Sequence, residues 1–114
     1  MLFPLDDVIA APGAASGGAA RGVVRIGGPD VVGLLTRLGL PVEPKRSRPW
    51  SRATTIPVAA GSMQIDVPVE LSVWPSHRSY IGQPLAELHL PGSPPVVEAV
   101  LAACYQAGAR QAER

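Results

Sequence analysis

Asparagine is absent from this chain of 114 residues, cysteine occurs once and histidine twice. Without asparagine the chain cannot carry the NKxD element that reads guanine. A single cysteine, Cys104, excludes an internal disulfide and suits a reducing compartment. His77 and His89 form no HExxH pair, and Cys104 has no CxxC partner, so no metal-ligand pattern is present in the sequence. Gly13 and Gly18 have the GxxxxG spacing of a phosphate loop. Ala19 and Ala20, however, stand where that loop needs Lys and Ser or Thr, and no GxGxxG occurs. Neither a nucleotide nor a metal is therefore expected. Charge of one sign is lacking too. Ten Lys and Arg against nine Asp and Glu give +1, which offers no electrostatic case for a nucleic-acid site or a membrane surface. No apolar run reaches membrane-spanning length. The N-terminal MLFPLDDVIAAPG carries two acids and no basic segment, which predicts no signal peptide and a cytoplasmic, soluble protein.

What is present reads as one globular domain rich in turns. The composition is 46% hydrophobic and 17% charged, and Gly 12 with Pro 13 punctuates it heavily. Residues 7–12 (DVIAAP) read as a short strand, followed by a glycine-rich loop and a second strand at Val23 to Ile26. A helix is predicted next. Val31, Leu34, Leu35 and Leu38 repeat at helical spacing, Pro29 suits a first helical residue and Gly39 a C-terminal stop. Gly33 inside it weakens it by about 1 kcal/mol relative to alanine. PVEPKRSRPWSR, from Pro41 to Arg52, reads as an irregular exposed connector whose Lys45, Arg46, Arg48 and Arg52 form a solvated cluster.

The following part is strongly β. Thr54 to Ala59 is one run, Gly61-Ser62 a turn, and Met63, Ile65, Val67, Val69, Leu71 and Val73 alternate with polar residues, which predicts one buried face. Pro68 falls on the polar phase and marks an edge position or a break. Leu85 to Leu90 is a further strand, with Ala86, Leu88 and Leu90 on one face and Leu85, Glu87 and His89 on the other. Ser93 is a plausible N-cap with Pro94 at the first helical position. Val97, Val100, Leu101, Cys104 and Tyr105 then make a helix stripe that Gly108 ends, before the polar tail ARQAER. The pattern predicts an α+β fold: a single small domain with a mixed or antiparallel sheet of about five strands and two main helices. Leu35 and Leu101 are the expected core positions of the helices.

Few residues point to chemistry. Cys104 on an apolar stripe reads as a buried, inert thiol. Glu87 and His89, two apart on one strand face, have the arrangement of an acid/base pair, or of an ordinary solvated pair. Arg25, amid small residues, is either an exposed strand arginine or an anchor for a carboxylate, which its planar fork suits. No base, nucleophile or metal site stands out as catalytic.

The order of segments resembles a known family. DDVIAA leads through a Gly-rich loop to GVVRIGGPD, as an Asp–Ser/Thr–Ile–x–Ala stretch leads to an Arg-containing strand end in the N-terminal domain of the MnmE/TrmE family of tRNA-modifying GTPases. Ser79-Tyr80-Ile81-Gly82-Gln83-Pro84, Glu87-Leu88 and Pro91-Gly92-Ser93-Pro94 are similar to that family's later signature, Ser–Phe/Tyr–Thr–Gly–Glu–Asp, then Glu–Leu/Ile, then His–Gly–Gly–Pro. VELSVWP and AGARQAER also find counterparts. The resemblance spans nearly all of residues 1–114 but only the N-terminal domain of the family, not its helical or GTPase domains. It implies a domain that binds a tetrahydrofolate derivative in support of wobble-uridine modification, forms a homodimer and works with other tRNA-modification proteins. By the same resemblance Arg25, Tyr80, Gly82 and Glu87 are the ligand-binding candidates. Arg25 would pair with a ligand carboxylate, Tyr80 stack or hydrogen-bond, Gly82 allow close backbone approach, and Glu87 accept from pterin N–H groups. Ile81, Gln83, Pro84, Pro91 and Ser93 depart from the family's Thr, Glu, Asp, His and Gly. The alternative is a dimerisation module without ligand.

Overall fold

The structure is a computed structural model that describes residues 8–12, 21–43, 46–75 and 83–111. The glycine-rich stretch 13–20, Lys45, His77, Tyr80 and Gly82 lie outside the described residues. The strands are β1 (Ile9–Pro12), β2 (Arg21–Gly27), β3 (Trp50–Ala60), β4 (Met63–Trp74), β5 (Leu85–Pro91) and β6 (Arg110–Gln111); the helices are α1 (Val31–Arg37) and α2 (Pro94–Gln106). One sheet in the order β3-β4-β5-β2-β1-β6 contains all the strands, antiparallel except for the parallel β1–β6 pair. The fold is therefore α+β, with a mixed sheet of six strands rather than about five. The addition is β6, two residues of the polar tail. It is held because the N–H of Arg110 donates to the carbonyl of Val8 at 2.8 Å.

Both helices lie on one face. Val31, Leu34, Leu35, Val100 and Cys104 share a buried core with Val24, Ile26, Leu71, Val73, Ala86 and Leu88. The stripe expected on α2 is centred differently from the sequence reading: Val100 and Cys104 are buried, whereas Leu101 is only partly so. Helix α1 is also shorter than its pattern, because Pro29 and Asp30 form a turn ahead of it. Asp30 makes no side-chain cap bond; its carboxylate instead takes Arg37 Nη1 at 3.2 Å. The unfavourable Gly33 has a reason here, since a Cβ at that position would fall on the Asp30 carboxylate. Arg37 Nε also donates to the carbonyl of Ala107 at 2.6 Å, tying the end of α1 to the end of α2.

The β3–β4 hairpin differs most from expectation. Trp50, Ser51 and Arg52 are strand, not connector, because Trp50 pairs with Val73 and is buried. Strand β4 runs unbroken through Pro68. The turn explains why. Gly61 has φ +65° and Ser62 has no positive φ, which fits a two-residue type II′ turn flanked by the hydrogen-bonded pair Ala60↔Met63. Alternation then sends the polar backbone groups of Met63, Ile65, Val67 and Val69 toward β3 and those of Gln64, Asp66 and Pro68 away from it. The missing N–H of Pro68 thus costs the β3 ladder nothing. The β4–β5 ladder ends at Glu70↔His89, and two further steps of that register would oppose Pro68 to Pro91, neither of which has an N–H to donate. Beyond this fork the hairpin continues as a two-stranded ribbon. Its buried face is incomplete: Ile56, Val58, Val67 and Val69 are buried, but Met63 is 68% and Ile65 41% exposed.

Two outcomes follow from this packing. Leu35→Ala should cost about 2–5 kcal/mol, and Leu101→Ala only about 1 kcal/mol, in urea denaturation. Burial pushes the Cys104 thiol from its ordinary 9.0 up to about 12. The unfolded chain therefore loses that proton first, and stability present below about pH 9 is lost as pH rises toward 12. Denaturation midpoints measured from about pH 8 to 10.5 should fall more steeply for the wild type than for Cys104→Ala.

Candidate functional site: the open face of β2 and β5

Among the described residues no helix covers the second face of the sheet. The register decides what stands there. Strand β5 is central, and its pairing with β2 places Arg25 opposite Glu87 and Val23 opposite His89. Its pairing with β4 places Ser72 opposite Glu87 and Glu70 opposite His89. Since Val24, Ile26, Ala86 and Leu88 belong to the helix side, Arg25, Glu87 and His89 all project from the open side.

These three side chains form one cluster. Arg25 Nε donates to Glu87 Oε2 at 2.9 Å, and His89 Nε2 lies 3.1 Å from Glu87 Oε1. An ionised carboxylate can only accept, so the hydrogen in the second bond sits on His89 Nε2. The environment is graded: the side chain of Glu87 is 11% exposed, His89 29% and Arg25 45%. Glu87 is thus a nearly buried acid held between a cation and an imidazole. A carboxylate at that depth is tolerable only with such partners.

Beside the cluster runs a groove of about 510 Å³ lined by Arg21, Thr54, Pro68, Glu70, His89 and Pro91. It opens at the fork where β4 leaves β5. Arg21 and Glu70 were not marked by the sequence; Glu70 carries only the weak signal of lying on the polar phase of β4. Of the four residues implied by the resemblance, the structure brings Arg25 and Glu87 together, and Tyr80 and Gly82 fall outside the described residues. The basic connector has a different character. Arg46 pairs with Glu43 at 3.4 Å on the surface, and Arg48 and Arg52 are exposed.

Of the departures from the family signature, Gln83, Pro84, Pro91 and Ser93 fall on described residues. The carbonyl of Pro84 accepts the N–H of Gly28 at 3.1 Å. Pro91 closes β5, and Ser93 is the N-cap of α2 without a side-chain cap bond. What the arrangement offers chemically is a fixed guanidinium, carboxylate and imidazole on a sheet face that no described helix covers, suited to hydrogen-bonding a flat polar ligand. Arg25→Ala leaves Glu87 with a weaker counter-charge and should destabilise the fold by about 1–2 kcal/mol. Adding Glu87→Gln should restore part of that loss, seen as a coupling of at least about 0.5 kcal/mol in a double-mutant cycle.

Comparison with known proteins gives the family of the chain. A family profile described as the GTP-binding protein TrmE N-terminus matches residues 8–114. The chain is 40% identical to the tRNA modification GTPase MnmE of Rhodopirellula baltica over 98% of its own length and 24% of that protein. It is 34% identical to the MnmE of Roseiflexus castenholzii, over 94% of this chain and 23% of the relative. It is also 34% identical to that of Nitratidesulfovibrio vulgaris strain DP4, over 96% and 24%. The chain spans about a quarter of the length of these relatives. A match across nearly every described element leaves one assignment: the chain belongs to the TrmE N-terminal domain family of the tRNA modification GTPases MnmE.

Proposed function

We propose that this domain serves tRNA modification by holding a tetrahydrofolate derivative on the open face of β2 and β5, and that it works as a homodimer. The observation that carries the reading is the Arg25–Glu87 pair, 2.9 Å apart on the face that no described helix covers. Both residues stand at positions the family resemblance marks for the ligand. Arg25 and Glu87 touch, so they meet the same end of such a ligand: Glu87 offers an acceptor for pterin N–H groups and the exposed part of the Arg25 guanidinium a donor beside it, with Tyr80 and Gly82 the remaining candidates for stacking and close backbone approach. Other tRNA-modification proteins are its partners.

The same pair limits affinity. Glu87 already divides its carboxylate between Arg25 and His89, so a ligand has to join or displace that network. Pro84, Pro91 and Ser93 stand where the resemblance places the family's Asp, His and Gly. Each lost charge-assisted hydrogen bond removes about 1.5–3 kcal/mol, so two together weaken binding by a factor on the order of a hundred or more. That observation favours a second reading, a dimerisation module that has given up its ligand.

Calorimetry with 5-formyltetrahydrofolate separates them. The folate reading predicts weak binding that Arg25→Ala abolishes. No heat from the wild type at about millimolar ligand supports the module without ligand. Tight, stoichiometric binding that survives Arg25→Ala contradicts both.

A further inference from the structure

With Arg25 and Glu87 at one end of a folate, the carboxylates at its other end still need a cation. The strand register supplies one. On β2, Arg21, Val23 and Arg25 alternate onto the open side, opposite Pro91, His89 and Glu87 of β5. Arg21 therefore shares a face with Arg25, about 13 Å further along the strand. In a folate, fused rings, a methyleneamino link and a benzoyl ring separate the pterin N–H groups from the glutamate carboxylates, an extended span of the same order. His89 stands midway. It contacts Glu87 and also lines the groove of about 510 Å³, which Arg21 and Glu70 line as well. Arg25, Arg37 and Arg46 are each engaged with an acid. Among the described residues Arg21 has no such partner, and neither does Glu70. Strand β5 lies between those two, which sets them about 10 Å apart across the sheet, too far to neutralise one another.

We infer that Arg21 reads the glutamate tail of the ligand, which runs from Glu87 past His89 into the groove at the fork. This rests on the folate reading above and names the residue that recognises the far end of the molecule. The groove suits the part that has to cross it. Pro68 and Pro91 line it with ring carbons and offer no N–H, so its walls take an apolar benzoyl ring rather than further charge. At its β2 side the planar fork of Arg21 matches a carboxylate, which it can hold through two parallel hydrogen bonds. Glu70 acts in the opposite sense. Its carboxylate, on the β4 side, repels the tail and so directs it toward β2. Both Arg21 and Glu70 are exposed, so salt screens their effects and keeps each of them modest.

Two ligands that differ only in the tail separate this inference from the reading beneath it. The amide shifts of Glu87 and His89 are followed by ¹⁵N NMR during titration with 5-formyltetrahydrofolate and with 5-formyltetrahydropteroate, which has the same ring system and no glutamate. The wild type should bind the first more tightly, by about three- to fivefold at low salt, and the difference should shrink as sodium chloride is added. Arg21→Gln should remove the difference by weakening the first ligand alone. Glu70→Gln should enlarge it by about twofold. The second ligand serves as the control for folding, since its affinity should be the same in all three proteins. Equal affinities of the wild type for the two ligands, or a preference that survives Arg21→Gln, overturn the tail site and leave the folate reading standing. Absence of binding by either ligand at about millimolar concentration overturns both.

Discussion

The domain depends on how β5 is buried on both of its faces. Toward the helices it places Ala86, Leu88 and Leu90, all buried, in the common core. On the opposite face Leu85 is 1% and Glu87 8% exposed. An acid in such a position would cost several kcal/mol if left alone. Arg25 and His89 offset that cost, and Arg25, which reaches across from β2, in doing so fixes how β2 lies beside β5. A slip of one residue between β2 and β5 would turn Arg25 toward the helices and Val24 toward the open face. The ion pair is therefore a statement about register as much as about binding, which is why the same two residues serve the fold and the candidate site.

From that centre the core extends in both directions. Helix α2 packs on β1, β2, β5 and most of all on β3, and Arg37 joins the ends of α1 and α2 through Asp30 and the carbonyl of Ala107. The β3–β4 hairpin shares this core through Ile56, Val58, Val67 and Val69 but parts from β5 at the fork set by Pro68 and Pro91. Two prolines facing one another end a ladder that the apolar alternation alone would have prolonged. The fork thus creates the groove beside His89 that Arg21 and Glu70 line.

Much of this was legible in the residues. The alternation from Met63 to Val73, the Gly61-Ser62 turn, the Ser93-Pro94 helix start and the glycine stops Gly39 and Gly108 are local signals, and each element formed where its signal stood. What the sequence hid depends on tertiary pairing. Two residues of a polar tail become β6 only because Val8 presents a carbonyl to Arg110. Trp50 joins a strand only because Val73 faces it, and Leu101 yields the core to Val100 because the angle of α2 on the sheet is set by packing. Family resemblance marked Arg25 and Glu87 separately, for opposite ends of a ligand. Their direct contact is a consequence of strand register between segments sixty-two residues apart, which no local pattern encodes.

The most direct test of this account is the side-chain Nε–H resonance of Arg25 in a ¹⁵N NMR titration with 5-formyltetrahydrofolate, which remains informative when binding is weak. The account predicts a slowly exchanging Arg25 Nε–H signal in the free protein, lost in Glu87→Gln. It also predicts that the signal shifts progressively with added ligand, together with the amides of Glu87 and His89. Absence of a protected signal, or a signal that stays fixed while amides on the α1 and α2 side move, would contradict it.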